Sequence, residues 1–209
     1  MATSLTLQND ASLAQGYVKV NGTTSATFTT SGITGNLVGN VTGSLTAGGS
    51  LTLATAQTAS GTSVDFTGIP SWVKRITVML NGVSTSGSSS IRFQVGSGGV
   101  SNSGYSGSML RLTSGQSTAG INGANLGGFD VYTHGQGATF IFQGNVVFTL
   151  VGSNTWTMTG LVGTSSAENI GFLTGASPTL AGTLDRIRIT TVNGTDTFDA
   201  GTINISYEG

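Results

Sequence analysis

Alternation of apolar and polar side chains with a period of two, broken every few residues by glycine, is the feature that most narrows what this chain can fold into. From 73 to 80, Val73, Arg75, Thr77 and Met79 fall on one side of an extended chain and Lys74, Ile76, Val78 and Leu80 on the other. Near the end, Arg186 and Arg188 alternate in the same way with Ile187 and Ile189. No segment carries a competing amphipathic helical spacing. The pattern predicts strands over 63–66, 73–80, 90–95, 108–113, 129–132, 138–143, 145–151, 155–161, 170–173, 185–191 and 202–207. Many short strands separated by turn residues point to an all-β, antiparallel sandwich, jelly-roll-like in class, and not to a parallel α/β sheet. With 34 glycines and only 7% charged residues the composition taken alone would suit disorder, but 37% hydrophobic residues set in alternating runs can close a core.

The first 60 residues follow a different pattern. Asn21-Gly22 stands between two β-prone runs, 17–20 and 23–29, and both residues accept the left-handed conformations of a tight turn, so a β-hairpin is expected. A lone hairpin is marginal in water and needs a further surface to cover it. A four-residue repeat follows, in which Ile33, Leu37, Val41 and Leu45 are the recurring aliphatics. A stripe this thin closes no core within one chain, whereas three copies around an axis bring those positions together. The alternative is a flexible linker with incidental aliphatics. The resulting organisation is an attachment hairpin over 1–32, a Gly/Thr-rich stem and linker over 33–60, and a β-sandwich over 61–209, assembled as a homotrimer.

Charge and residue inventory remove several classes of function. Seven Lys and Arg against eight Asp and Glu, without a basic cluster, leave no electrostatic basis for nucleic-acid binding. So little net charge also leaves little repulsion against self-assembly. The absence of cysteine excludes disulfides and thiolate metal sites and fits synthesis in a reducing cytoplasm. No run approaches the roughly 20 apolar residues of a membrane span, and the first residues lack the pattern of a signal peptide, so membrane insertion is not expected.

The search for catalytic chemistry yields little. His134 is the sole histidine, so no zinc set can be completed, and no serine occupies a nucleophile elbow. A glycosidase pair would have to come from Asp10, Asp65, Asp130, Glu168, Asp185, Asp196, Asp199 and Glu208. Structural roles suffice for several of these: Asp185 adjoins Arg186 and Arg188, and Asp196 and Asp199 flank turns. No catalytic residue, metal site or cofactor is therefore assigned. Sugar binding asks instead for exposed aromatic rings beside polar loops, which singles out Tyr105, Tyr132 and His134. Trp72 and Trp156, set in strand-like runs, are expected in the core or at a subunit interface.

Four stretches resemble phage tail-fibre and related virion proteins. They are Gly16-Tyr-Val-Lys-Val-Asn-Gly-Thr-Thr-Ser-Ala-Thr-Phe, the Gly-Asn-Val-Thr-Gly repeat at 39–43, the Ile-Pro-Ser-Trp-Val segment within 64–78, and the ending over 184–205. The resemblance implies a trimeric tail-fibre or spike subunit on the virion surface, joined to other virion proteins, whose distal β-domain contacts the host surface, often a glycan. A capsid head-decoration or head-fibre trimer is the alternative, and a polysaccharide depolymerase a more distant one.

Overall fold

The computed structural model describes residues 5–10, 15–20, 23–29, 32–34, 51–113, 116–131, 138–164 and 170–209. The chain divides into two compact units, Met1–Ser44 and Leu45–Gly209. Among the described residues all regular structure is β, every strand pairing is antiparallel, and no helix is long and apolar enough to cross a membrane.

In the first unit β1 (Leu5–Asp10), β2 (Gln15–Val20), β3 (Thr23–Thr29) and β4 (Gly32–Thr34) form one sheet in sequence order. Asn21 and Gly22 lie outside the described residues, but the strands on either side of them pair with Val20 opposite Thr23, as a two-residue hairpin connection requires. β1 adds to β2 and β4 to β3, so the hairpin is the centre of a four-stranded meander. Of the stem positions, Ile33 sits in β4 opposite Phe28, whereas Leu37, Val41 and Leu45 fall outside the described residues.

The second unit contains two sheets. One is ordered β10 (Gly99–Val100), β9 (Ile91–Ser97), β17 (Arg186–Thr191), β7 (Ser63–Thr67), with β13 (Phe129–Val131) also pairing β9. The larger sheet runs β12 (Gln116–Leu126), β11 (Tyr105–Thr113), β16 (Ile170–Ala176), β15 (Thr155–Thr164), β14 (Phe142–Gly152), β8 (Arg75–Thr85), β18 (Phe198–Glu208). β5 (Thr52–Leu53) and β6 (Gln57–Thr58) pair with its β18 edge. Thus part of the 33–60 stretch, expected as stem and linker, pairs with the second unit. Three of its polar residues, Thr52, Gln57 and Thr58, supply edge pairing that apolar periodicity does not report.

Alternation decides which side chains meet between the sheets. Ile76, Val78 and Leu80 of β8, Val146 and Phe148 of β14, and Ile203 and Ile205 of β18 are buried on the large sheet. Phe93 and Val95 of β9, Ile187 and Ile189 of β17, and Phe129 of β13 are buried on the small one. Aromatic rings join the two layers: Phe148 meets Phe93 at 6.4 Å and Phe129 at 5.9 Å between centroids, both edge to face. The unit is therefore sandwich-like.

Two strand expectations are corrected. Residues 138–143 do not form a strand of their own: Ala138 and Thr139 make a turn and β14 begins only at Phe142, running without a break to Gly152. β12 was not expected at all, because Gln-Ser-Thr-Ala-Gly-Ile-Asn-Gly-Ala-Asn-Leu lacks large apolar residues at alternate positions. Ser153 and Asn154, both with positive φ (47° and 61°), close the β14–β15 hairpin in a two-residue turn. Trp156 is buried in the core, and half-buried Trp72 packs on Tyr207 at 5.9 Å.

Candidate functional site

Of the three residues singled out for sugar stacking, Tyr132 and His134 lie outside the described residues. Tyr105 does not fit that role. It opens β11, and its parity with Met109 turns it into the core, where it is 0% exposed and its ring stands edge-on to Phe129 at 4.9 Å. Its hydroxyl accepts the Val95 N–H at 2.9 Å and has the carbonyls of Val95 and Ser101 at 3.1 Å as its own acceptors. Flanking Gly104 and Ser106 give the sequence a loop-like look, but a buried tyrosine with a satisfied hydroxyl offers no ring face to a ligand.

Burial pushes the Tyr105 phenol up to about 12, against the opposing effects of the Val95 backbone and the Ser101 side chain. Because the raised value belongs to the folded state, the associated stability is complete below the unfolded value of about 10 and is lost as pH rises towards about 12, by about 3 kcal/mol. Denaturant unfolding followed across that range should show the decline in the wild type and none from this group in Tyr105→Phe. The variant itself should be about 1–3 kcal/mol less stable at neutral pH. An unchanged alkaline profile in Tyr105→Phe would count against the buried placement.

A charged and polar surface of the second unit lies on the outer side of the small sheet. Between buried Ile91, Phe93 and Val95, β9 turns Arg92 and Gln94 outwards, and β17 does the same with Arg188 and Thr190. Register places Arg92 opposite Thr190, Gln94 opposite Arg188, and Arg188 opposite Asp65 of β7. Arg188 gives Nε and Nη2 to Asp65, both at 2.7 Å, and Arg92 gives the same two atoms to Asp130 at 2.6 and 2.8 Å. These are planar, two-point pairs, whose fixed geometry no lysine reproduces. The hydrogen bonds that Arg92 donates to Asp130 raise its value further, so this guanidinium stays charged.

Other side chains in this region are held in place. Gln94, only 6% exposed, donates Nε2 to Gly127 O at 2.7 Å and to Asn102 Oδ1 at 3.2 Å. The Thr190 hydroxyl donates to Thr62 O at 2.7 Å. Gly127 and Gly128 run closely over Arg92: a Cβ on Gly128 would lie 2.6 Å from Arg92 Cγ and 2.8 Å from Phe93 O. Only glycine fits there. Together Arg92, Gln94, Arg188, Thr190 and the Asn193-Gly194 turn enclose a polar hollow of about 270 Å3.

Comparison with protein-family models, curated proteins and solved structures finds no match.

Asn193 fixes the rim of the hollow. Its Oδ1 accepts the N–H groups of Thr195 and Asp196 at 3.1 and 3.0 Å, and its Nδ2 donates to Asp196 Oδ1 at 2.8 Å. The other Asp196 oxygen accepts the Ser89 N–H at 2.8 Å. These bonds, that from Asn193 foremost, hold the Asp196 carboxyl below the usual carboxylate range. The other acids described in the second unit are also engaged: Asp185 binds Arg186 at 2.7 Å, Glu208 binds Arg75 at 3.2 Å, and Asp199 accepts the Ser84 hydroxyl. Asp185 thus pairs with Arg186, the next residue of the chain, while Arg188 takes Asp65. No group of three or more potential metal-binding side chains converges among the described residues.

Arg92 and Gln94 are functional candidates that sequence reasoning passed over. The signal was present, since Ile91-Arg-Phe-Gln-Val95 alternates as clearly as 186–189. What it lacked was any indication that β9 and β17 are neighbours.

Proposed function

We propose that the chain is a non-enzymatic structural protein of a virus particle, a tail-fibre or spike subunit that presents its second unit to a host-surface glycan. In this reading the body is a jelly-roll-like sandwich, and the protomers join as a trimer through the aliphatic repeat at Ile33, Leu37, Val41 and Leu45. The observation that carries the adhesive reading is the outer face of the small sheet, where hydrogen-bonding groups are held rigidly around a hollow and the carboxylates described there, Asp65 and Asp130, are paired with arginines. Hydroxyl recognition needs such a surface. Hydrolysis of a polysaccharide needs two carboxylates placed for proton transfer and attack, and among the described acids of the second unit Asp65, Asp130, Asp185, Asp196, Asp199 and Glu208 are each tied to a structural partner.

Light scattering on a sizing column tests the assembly. The full chain is expected at about 63 kDa, three times its 20.9 kDa, and Leu37→Asn/Val41→Asn is expected to dissociate it while strand content is retained. A monomeric full chain would remove the trimeric stem. Immunogold electron microscopy of the particle then separates a tail location from a head decoration.

A further inference from the structure

A second hollow, of about 250 Å3, lies beside the first and is lined by Thr55, Gln57, Asp65, Thr67, Ile69 and Tyr207. The Arg188–Asp65 pair belongs to both, since Arg188 lines one hollow and Asp65 the other. Both members are about one-third exposed, at 37% and 36%, so ligand groups can reach them. The two hollows differ in character. The first is lined mainly by polar groups, with Val192 its one large apolar side chain, whereas the second sets half-buried Tyr207 and the edge of Ile69 against Thr55, Gln57 and Asp65.

The charges balance. Arg92 is matched by Asp130 and Arg188 by Asp65, each through two hydrogen bonds. Each guanidinium uses Nε and Nη2 on its carboxylate, which leaves the two hydrogens of Nη1 to donate, and each carboxylate oxygen keeps a further lone pair to accept. Gln57 spends its Nε2 on Asp65 O at 2.9 Å and retains Oε1 as an acceptor. Donors and acceptors therefore alternate over the surface with no net charge. An anion gains little from guanidinium groups already neutralised and is repelled by the carboxylates, while a cation meets the converse. Hydroxyl groups, which donate and accept at once, fit both, and the C–H face of a sugar ring fits Tyr207. Each hollow is somewhat below the roughly 300–1,000 Å3 of a drug-sized site, which suits one ring apiece.

We propose that the two hollows are adjoining subsites for an uncharged oligosaccharide, bridged by the Arg188–Asp65 pair. The inference rests on the adhesive reading of the second unit and adds the ligand class and its footprint. Calorimetric titration of the full chain with neutral gluco-, galacto- and manno-oligosaccharides, and with uronic-acid-bearing chains of equal length, tests it. Neutral chains should bind, with an affinity that changes little between about 0.1 and 1 M salt. Arg188→Lys keeps the charge but loses the planar fork, and should weaken binding about tenfold with Tm unchanged. Asp65→Asn leaves one unmatched guanidinium and should raise affinity for the uronic-acid chains about tenfold. Tighter binding of the acidic chains by the wild type overturns the uncharged class. Neutral binding unaffected by either substitution overturns the footprint and leaves adhesion standing. Failure to bind any chain overturns the inference, and failure to adsorb to a panel of intact bacterial cells removes the adhesive reading with it.

Discussion

Phe148→Ala is expected to lower the stability of the second unit by about 3–5 kcal/mol, read as a shift in denaturant midpoint at unchanged slope. Phe148 is fully buried on β14 and is the ring at which the two sheets meet, touching Phe93 of β9 and Phe129 of β13. Removing it deletes the edge-to-face contacts and leaves a cavity that two hydrogen-bonded sheets cannot readily collapse to fill. Thr149→Ala, the next residue on the same strand but on the exposed side, supplies the control and should stay within about 0.5 kcal/mol. A loss below about 1 kcal/mol for Phe148→Ala would mean that the sheets do not close over this ring.

The second large effect is expected at Gly201, where alanine should cost about 3 kcal/mol or more. Gly201 has a φ of +96°, in the region that L side chains avoid, and sits where β18 shifts register against β8. A Cβ there would lie 2.4 Å from Gly82 O and 2.6 Å from Val83 Cα, both backbone atoms of the adjacent strand. Strain of about 1–2 kcal/mol adds to overpacking of about 1–3 kcal/mol. The displaced backbone also carries the carbonyl that accepts the Ala59 N–H at 3.0 Å, so the segment beyond β6 would loosen with it. Gly82→Ala separates the two contributions, because Gly82 has a φ of +67° with nothing within 4 Å of the added Cβ, and should cost only the strain, about 1–2 kcal/mol. Equal midpoints for the two variants would deny the close approach at Gly201.

Where the sequence was legible, period-two patterning made it so. The strand at 185–191 was expected with its arginines opposite its isoleucines, and β17 has Ile187 and Ile189 buried and Arg186 and Arg188 outward. The hairpin expected around Asn21-Gly22 appears as the β2–β3 pairing. Tyr105 was misread because a glycine before it and a serine after it outweighed its parity with Met109, four residues on, across a shift in the β11–β12 register. β12 escaped notice for a related reason. Its backbone is held by pairing to β11, an interaction that needs no particular side chain and leaves little trace in composition.

The candidate site divides along the same line. Alternation alone determines that Arg92, Gln94, Arg186, Arg188 and Asp65 face away from the core, because successive side chains of a strand point to opposite sides. Which of them meet was decided only in the tertiary structure. β17 pairs with β9 and β7, strands roughly 90 and 120 residues earlier in the chain, and that placement sets Arg188 between Gln94 and Asp65. The physical reason is that backbone hydrogen bonds are alike at every residue, so they allow many strand orders. The fit of Phe93, Phe129 and Phe148 between two closed layers selects one of them.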